Sequence, residues 1–288
     1  MKGALARKPS VKKEVVIMSM KSVLFSVLFF VAFSHSGVAS AGTWYVNKAA
    51  VEPRDGQSLE TGFETIQEGI DAATDGDAVI VGEGTYTENI NLNGKNIVLR
   101  SADPLNPDVV EKTIIDGGEN GSVVGFAGTE DETCALSGFT IRNGRAEPGG
   151  GICGGTRLRH SRATIRNNVI KGNMAELGVV LVYYDGTVEN NIISDNRAER
   201  AGGGLFWCDG RIAGNTISKN WGEQRGGGIS ACNGTIRGNI ISGNTSYDGG
   251  GLYECDGPIF KNIISGNFSM YGGGLNGCQG SISNNVIT

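Results

Sequence analysis

The densest group of side chains that could do chemistry lies between residues 142 and 166. Guanidinium groups pair with acidic groups in fixed geometry, and a basic side chain in its deprotonated form can act as a general base. Six arginines and one histidine fall in this segment, opposed by Glu147 alone: Arg142, Arg145, Arg157, Arg159, His160, Arg162 and Arg166. Four of these, Arg157, Arg159, His160 and Arg162, are therefore candidate ligand-binding residues for an acidic polysaccharide, with no catalytic role assigned to any of them.

Two further sets have functional potential. Oxygen-bearing side chains that recur once per repeat could hold Ca²⁺; they are Asp185, Asp209, Asn233, Asp256 and Gln279. Each Asp precedes a Gly, however, and Asp-Gly is an ordinary turn pair, so no specific cation motif is identified. His160 is the single histidine after residue 41, which speaks against a histidine-based metal site. No cofactor is predicted.

Aromatic side chains form the other set. They follow the glycine triplets and are predicted to point outward, where their faces could stack on sugar rings; they are Tyr183, Phe206 and Tyr253, with Trp207 and Trp221 as additional candidates.

A repeat of 23 to 24 residues positions all of these side chains. Its copies begin at residues 178, 202, 226, 249 and 272, and a looser copy at 149–177 carries about five extra residues around Arg157 to Arg162. Most copies open on a glycine triplet, which accounts for much of the 47 glycines. One unit is too short to bury its own apolar residues, so successive units must stack. The period does not fit a nonapeptide calcium repeat. A leucine-rich repeat has a similar length and an Asn ladder, but its leucine pattern is missing, as at Gly257.

Three apolar columns emerge from stacking the units. They are Leu205, Ile229, Leu252 and Leu275; Ile212, Ile236, Ile259 and Ile282; and Ile217, Ile241, Ile264 and Ile287. Stacked coils lie about 4.8 Å apart, as parallel strands do. Three columns predict an all-β fold, a three-sided parallel β-helix.

Asparagines and cysteines recur with the same period. The first asparagine column is Asn168, Asn191, Asn215, Asn239, Asn262 and Asn285, and the second is Asn173, Asn196, Asn220, Asn244 and Asn267. Asn tolerates the left-handed backbone of sharp corners, and stacked Asn side chains can bond to one another. The cysteine column is Cys208, Cys232, Cys255 and Cys278, with Tyr184 in the preceding slot. We expect inward packing, and spacing also permits disulfides Cys208–Cys232 and Cys255–Cys278, with Cys134–Cys153 as a third pair.

The segment 43–116 does not repeat. Apolar residues in FETIQEGIDAA (63–73) have helical spacing, and an amphipathic helix can cover the open end of a stack. TIQEGIDAA, GDAVIVGEGTYTENI, KNIVLRS and TIIDGG together resemble the entry segment of the pectin lyase-like superfamily. LSGFTIRNG and the G-N-x-I-S-G-N coils resemble its generic repeats. This resemblance, over residues 43–288, implies a right-handed helix.

The resemblance does not single out an activity. G-T-Y-T-E (84–88) resembles an early pectin esterase motif, but the later Q-D-T, D-F-x-F-G and G-R-P-W motifs are missing. The polygalacturonase-like N-T-D, paired Asp, G-H-G and R-I-K motifs are missing as well. A polysaccharide lyase acting on an acidic glycan needs only a base and a cation beside the uronate, which the arginine-rich segment could supply.

The N-terminus predicts secretion. A twelve-residue apolar run (22–33) follows Lys21 and precedes Ala39-Ser40-Ala41, the layout of a cleavable signal peptide, with Met18 or Met20 as alternative starts. Cleavage after Ala41 removes six basic residues and one acidic residue, leaving 19 basic against 29 acidic, a net charge of −10. So acidic a chain is a poor nucleic-acid binder, and no transmembrane segment is predicted.

We therefore expect a signal peptide at 1–41, a cap and first coils at 42–116, and a repeat region at 117–288 that is truncated in mid-coil. The favoured function is a secreted or cell-surface β-helix protein that binds or processes polysaccharide. The alternatives are a non-catalytic adhesive solenoid and an acidic-glycan lyase. The sequence leaves open whether the protein is an enzyme.

Overall fold

The computed structural model describes residues 41–288, so the predicted signal peptide lies outside the described residues apart from Ala41. Three long parallel sheets run along this part of the chain. The first consists of β1 (Thr43–Val46), β2 (Ala78–Val81), β5 (Val98–Ser101), β8 (Ala135–Ser137), β14 (Thr164–Arg166), β18 (Thr187–Glu189), β22 (Ile212–Ala213), β26 (Ile236–Arg237), β30 (Ile259–Phe260) and β33 (Ile282–Ser283).

The other two long sheets each receive one strand from most coils. The second consists of β3 (Gly84–Thr87), β6 (Thr113–Asp116), β9 (Thr140–Arg142), β15 (Val169–Lys171), β19 (Ile192–Ser194), β23 (Thr216–Ser218), β27 (Ile240–Ser242), β31 (Ile263–Ser265) and β34 (Val286–Ile287). The third consists of β4 (Ile90–Asn91), β7 (Val124–Gly125), β11 (Ile152–Cys153), β17 (Leu181–Tyr184), β21 (Leu205–Cys208), β25 (Ile229–Ser230), β29 (Leu252–Tyr253) and β32 (Leu275–Asn276).

Strand register confirms the three predicted columns. Leu205 pairs with Ile229, Ile212 with Ile236 and Ile217 with Ile241, each one coil apart. Residues of the same column also pair with each other in the following coils. Their side chains are fully buried in every coil before the last described one. The all-β parallel β-helix is therefore the fold, and the apolar columns form its core.

A fourth, five-stranded sheet was not predicted. It consists of β10 (Arg145–Ala146), β16 (Met174–Leu177), β20 (Arg197–Ala201), β24 (Trp221–Arg225) and β28 (Thr245–Asp248). Its inward residues are small: Ala175 pairs with Ala198, then Gly222 and Ser246. A search for large apolar columns misses such a strand, because its buried side chains are small.

The two asparagine columns form continuous hydrogen-bonded ladders, each at a different corner of the coils. Asn191 shows the pattern: its side chain Nδ2 donates to Asn215 Oδ1 at 3.0 Å and to Ile165 O at 2.9 Å, and its backbone N also donates to Asn215 Oδ1 at 2.9 Å. In the second ladder Asn196 bonds in the same way to Asn220. All members before residue 267 are buried. Each side chain thus satisfies corner backbone groups that would otherwise be buried without partners.

The expected backbone role of these asparagines was wrong. Left-handed backbone occurs at the residue before each ladder Asn, as at Asn190 (φ 55°), Gly214 (φ 67°) and Lys219 (φ 57°). The ladder Asn itself is not left-handed. The corner therefore separates two tasks: one residue turns the chain, and the next, Asn, hydrogen-bonds along the axis.

Glycine triplets mark the turn into the third sheet. The first glycine, as in Gly202, has φ of 72°, which an L side chain rarely adopts. The next two lie against the adjacent coil: a Cβ added to Gly204 would meet Gly228 O at 2.3 Å. The triplet is required by conformation at its first position and by close backbone approach at the others.

The cysteine column faces inward as expected. Cys208, Cys232 and Cys255 are buried, and Tyr184 pairs with Cys208 in register. All six cysteines are free, so the disulfides weighed from spacing are not formed. Instead, Cys208 N donates to Cys232 Sγ at 3.3 Å, and Cys232 Sγ donates to Ser230 O at 3.3 Å. Burial raises the pKa of the Cys232 thiol well above its ordinary value, which suits a packing role.

Helix α1 (Ile66–Ala72) covers the first coils, within the segment predicted to be helical. It begins with a capping box of Thr65 and Glu68 and buries Ile66 and Ile70. A second short helix, α2 (Pro107–Lys112), was not predicted; Asn106 caps it and Pro107 occupies its first position. Within residues 41–288 no helix has the length and apolar character needed to cross a membrane.

Candidate functional site

The extra residues of the looser repeat form a β-hairpin. Strands β12 (Gly155–Thr156) and β13 (Arg159–His160) pair antiparallel, with Gly155 opposite His160. Arg157 and the 94% exposed Leu158 form the tip. Because a Cβ on Gly155 would meet Arg159 O at 2.2 Å, this glycine permits the tight pairing. The hairpin projects from the stack beside the third sheet, since Ser161 forms a bridge to Tyr184 where the chain returns.

Aromatic rings from neighbouring coils meet beneath this hairpin. The Trp207 ring centroid lies 4.5 Å from that of Phe206 and 5.5 Å from that of Tyr183. The Arg157 guanidinium carbon lies 5.0 Å from the Trp207 ring centroid, and the His160 ring lies 5.8 Å from Tyr183. These five residues form one surface, which we call the hairpin face. It extends two coils further to Tyr253, over which Arg225 lies at 5.5 Å.

Two members of the hairpin face have a strained backbone. Tyr183 and Trp207 have φ of 58° and 51°, values that bulky residues rarely adopt and that cost of order 1–3 kcal/mol. The same position in later coils is also left-handed but carries Ala231, Glu254 and Gly277. The Tyr183 and Trp207 rings lie side by side, but only Trp207 is partly exposed. Tyr183 and Phe206 are buried, so the expectation that their rings point outward was wrong.

Two adjoining cavities share Arg157 and Trp207. One, of about 370 Å³, is also lined by His160, Tyr183, Asp209 and Asn233. The other, of about 330 Å³, extends toward Arg200, Arg225, Phe206 and Tyr253. Together they make a groove that crosses several coils, as a chain-like ligand requires.

Cationic charge on this groove is available to a ligand. Among residues 41–288 neither Arg157 nor Arg225 has a carboxylate partner within 4.0 Å, whereas Arg200 pairs with Glu176 at 2.9 Å. Arg157 and Arg225 instead lie over aromatic rings, which hold a cation without neutralising it. Burial raises the pKa of Tyr253, helped by its hydrogen bond to Glu254, so this ring stays neutral.

The structure divides the sequence-predicted basic segment. Arg157 and His160 line the cavity, and Arg159 lies in the hairpin, but Arg162 turns away to Glu132, 3.7 Å distant. Of the flanking arginines, Arg142 pairs with Asp116 at 2.8 Å. The 25 residues of the segment span a whole coil, so Arg142 and Arg162 form ion pairs away from the cavity that Arg157 and His160 line.

The predicted aromatic set is divided too. Phe206 and Tyr253 lie in one column of the third sheet, with Ser230 between them in register. Tyr183 and Trp207 lie in the neighbouring left-handed column. Trp221 lies on the fourth sheet instead, where Arg197 covers its ring at 4.2 Å. Sequence reasoning missed Arg225 as a site residue, and its place one residue before a glycine triplet gives no signal that it lies over Tyr253.

The acidic column makes structural hydrogen bonds. Asp209 Oδ1 accepts from Asn233 N at 2.8 Å, Asn233 Oδ1 from Asp256 N at 3.2 Å, and Asp256 Oδ1 from Gln279 N at 2.9 Å. In the part of the chain that the structure describes, no three acidic, histidine or cysteine side chains converge as a metal site would require. Asp185 differs from the rest of the column, since its Oδ1 lies 3.0 Å from His160 Nδ1.

The G-T-Y-T-E segment also has a structural role. Glu88 accepts hydrogen bonds from the backbone N–H groups of Ile66 and Gln67, at 2.9 and 3.1 Å, and so fixes helix α1 to the coils. Tyr86 is buried, and its hydroxyl donates to Gly82 O at 3.0 Å. In this chain the segment therefore attaches the cap helix to the coils.

Comparison with known proteins agrees with the fold. The family model described as right-handed β-helix region matches residues 123–288. The chain belongs to this family. The match covers every strand of the hairpin face, and it identifies the β-helix as right-handed. No curated protein and no solved structure matches the chain.

Proposed function

We propose that this right-handed β-helix protein is secreted and binds an acidic polysaccharide along the hairpin face. The observation that carries the proposal is the pair of unneutralised arginines, Arg157 and Arg225, each held over an aromatic ring beside an open groove. Aromatic faces stack on sugar rings, and a guanidinium group beside them pairs with a carboxylate of the same chain. The apolar run at residues 22–33 with its following Ala-Ser-Ala supports secretion.

The geometry suits a chain better than a small molecule. The two cavities share Arg157 and Trp207 and together cross several coils, which lie about 4.8 Å apart, so they offer an elongated surface. The chain carries a net negative charge, so binding of an anionic polysaccharide depends on local cations such as Arg157 and Arg225.

A matched pair of double variants tests the proposal. Arg157→Ala/Trp207→Ala removes one arginine-on-tryptophan pair from the hairpin face, and Arg197→Ala/Trp221→Ala removes an equivalent pair from the fourth sheet. We expect the first to weaken retention in gels containing polygalacturonate or alginate at least tenfold, which is about 1.4 kcal/mol. The second should leave retention unchanged. Retention of the wild-type protein by the acidic glycans should fall as salt is added, and gels that contain neutral dextran instead should not retain it.

Equal retention of the two double variants would show that the hairpin face does not bind these chains. Unretained wild-type protein on both acidic glycans would reject the proposed substrate class. For secretion, expression of the full chain in its host and sequencing of the extracellular N-terminus should give Gly42; retention of the intact chain inside the cell would reject it.

A further inference from the structure

One outward column of the first sheet contains a depression. The column runs from Arg166 through Glu189, Ala213 and Arg237 to Phe260, and each residue is in register with the next. Ala213 is the one small residue in this stretch, so the surface dips between its larger neighbours. A cavity of about 280 Å³ lies there. The exterior therefore departs from its own repeat at this point too, on a different sheet from the hairpin face.

Two glycines leave one wall of this cavity open. Gly214 and Gly238 lie at the left-handed corner that follows the column, with φ of 67° and 62°. Asn190 and Lys261 adopt the same conformation in the flanking coils, so the corner tolerates side chains. A Cβ added to Gly238 would meet no atom within 4 Å. Crowding therefore does not require a glycine at residue 238, and the missing side chain widens the cavity.

The cavity is cationic although the chain is acidic. Its lining includes three basic residues, Arg211, Arg237 and Lys261, and one acidic residue, Glu189. Arg211 and Glu189 neutralise each other, because Nη1 lies 2.7 Å from Oε2. Within residues 41–288 neither Arg237 nor Lys261 has a carboxylate partner within 4.0 Å. Two exposed, unpaired positive charges thus remain beside the cavity, whereas the chain after residue 41 has a net charge of −10.

We propose that this cavity binds a phosphate monoester of a small, flat apolar group. A phosphate monoester carries about −1.5 to −2 charge at pH 7 and strong acceptor oxygens, which match two unpaired cations. The Arg237 guanidinium offers a planar fork of N–H donors that suits phosphate oxygens, and the Lys261 ammonium adds a point charge. A sulfate monoester has a smaller negative charge, so it matches the site less well.

Phe260 is the reason for the flat apolar group. Its partly buried ring follows Arg237 in the column and lines the cavity together with Ala213. An aromatic ring can stack against it in an offset arrangement. The cavity volume of about 280 Å³ is close to the lower end of the range of small-molecule pockets, roughly 300 Å³. The site is separate from the hairpin face and does not depend on glycan binding there.

Isothermal titration calorimetry of the full chain with phenyl phosphate tests the site. Phenyl sulfate, inorganic phosphate and phenol are the comparison ligands, since they lack charge, ring and phosphate respectively. We expect saturable binding of phenyl phosphate, at least threefold weaker binding of phenyl sulfate and inorganic phosphate, and no binding of phenol. Wild-type protein that does not bind phenyl phosphate would overturn the proposal. Inorganic phosphate that binds as tightly as phenyl phosphate would overturn the role of Phe260.

Matched double variants separate the cavity from the general charge of the protein. Arg237→Ala/Lys261→Ala removes the two unpaired cations of the cavity, and we expect it to weaken phenyl phosphate binding at least tenfold. Its control, Arg166→Ala/Lys171→Ala, removes two exposed cations from an earlier coil and should change the affinity less than twofold. Equal losses in the two variants would show attraction to overall charge and overturn the site.

Two single variants test the shape of the cavity. Ala213→Leu keeps every charge but fills the depression, and the larger residues at this position in adjacent coils show that the backbone admits it. Gly238→Asp adds a carboxylate in open space, at a corner that tolerates side chains, so it keeps a test available should Ala213→Leu fail to fold. We expect at least tenfold weaker binding of phenyl phosphate in each. Wild-type affinity in either folded variant would overturn the proposal.

The hairpin face provides the last comparison. Arg157→Ala/Trp207→Ala should bind phenyl phosphate as the wild type does, because its changes lie on another sheet. Loss of binding in this variant would place the ester at the hairpin face and overturn the separate site, while the proposed glycan binding would be unaffected.

Discussion

The inside and the outside of the same coils follow different rules. Inside, equivalent positions keep side chains of similar character from coil to coil: apolar Leu205 meets apolar Ile229, and Asn191 meets Asn215. Outside, the column through Tyr183 and Trp207 continues as Ala231 and Glu254 although its backbone does not change. The interior therefore records what stacking requires, and the exterior is free to differ. Function in such a solenoid is best sought where the exterior departs from its own repeat.

The hairpin face is such a departure. A five-residue insertion adds Arg157 and His160 above two aromatic rings that later coils lack. By contrast, the column of Asp209, Asn233 and Asp256 is exposed yet regular, and its side chains accept hydrogen bonds from backbone amides of the next coil. Regularity on the surface indicates a structural role there too.

The largest expected effect separates a ladder asparagine inside from an asparagine outside. Asn215→Ala leaves the Asn191 N–H group and Val188 O without their partners in the core. Each buried polar group left unsatisfied costs about 1–3 kcal/mol, so we expect the free energy of unfolding in urea to fall by about 3 kcal/mol.

Asn233→Ala is the control for that measurement. Asn233 also accepts a backbone hydrogen bond from the next coil, but it is exposed, so water can replace it. We expect a loss of about 0.5 kcal/mol. Similar losses in the two variants would contradict the distinction between interior and exterior ladders.

The interior could be predicted from the sequence because equivalent positions in successive coils must meet the same packing and hydrogen-bonding requirements. Once the period is known, the partner of Ile212 is Ile236, and the corner asparagines follow. The prediction missed the fourth sheet, because the inward residues of this sheet, such as Ala198 and Gly222, are small and form no column of large apolar side chains. It also failed on which corner residue is left-handed, since Asn190 and Asn191 are the same type and only the backbone distinguishes them.

The exterior site could be predicted only in part. The insertion locates Arg157 and His160, because extra residues must leave the stack. The sequence cannot show that Arg162 turns toward Glu132 or that Arg225 lies over Tyr253, since these contacts depend on which side of the coil each side chain leaves. Position in the repeat predicts the direction of a side chain only where the backbone is regular.

Glycine substitutions, with a smaller effect on stability, distinguish left-handed residues at structural corners from those in the proposed binding site. Lys219 lies exposed at an Asn-ladder corner with φ of 57°, and the next coil has Gly243 there with φ of 63°. Lys219→Gly removes a left-handed backbone penalty of about 1–2 kcal/mol, but it also raises the conformational entropy of the unfolded chain. We therefore expect the free energy of unfolding in urea to rise by about 0.5–1 kcal/mol. Glycan retention should stay as in wild type.

Trp207→Gly relieves the same kind of strain but removes the ring contacted by Phe206 and Arg157. We expect retention on polygalacturonate to fall about as far as in Trp207→Ala, because the lost ring and not the backbone conformation decides binding. If Trp207→Gly kept full retention, the strained tryptophan would have no part in the proposed site.

The smallest effect concerns two covered carboxylates whose pKa values are displaced in opposite directions. Burial raises the pKa of Glu88 above its ordinary value, against two backbone hydrogen bonds from α1. Burial would also raise the pKa of Asp116, but hydrogen bonds from Gly118, Arg142 and Asn143 outweigh it and hold the value below normal. Glu88 therefore adds stability below its unfolded pKa that is lost as pH rises through the folded value. Asp116 adds stability above its unfolded pKa that is lost as pH falls through the folded value.

Urea unfolding across the acidic range checks both signs. Relative to wild type, Glu88→Gln should fall less in stability as pH rises through the Glu88 titration, and Asp116→Asn should fall less as pH drops through the Asp116 titration. The two variants differ from wild type by one charge each, so a general charge effect would move them in the same direction. Only local solvation and hydrogen bonding move them in opposite directions, as the number of donors around each carboxylate requires.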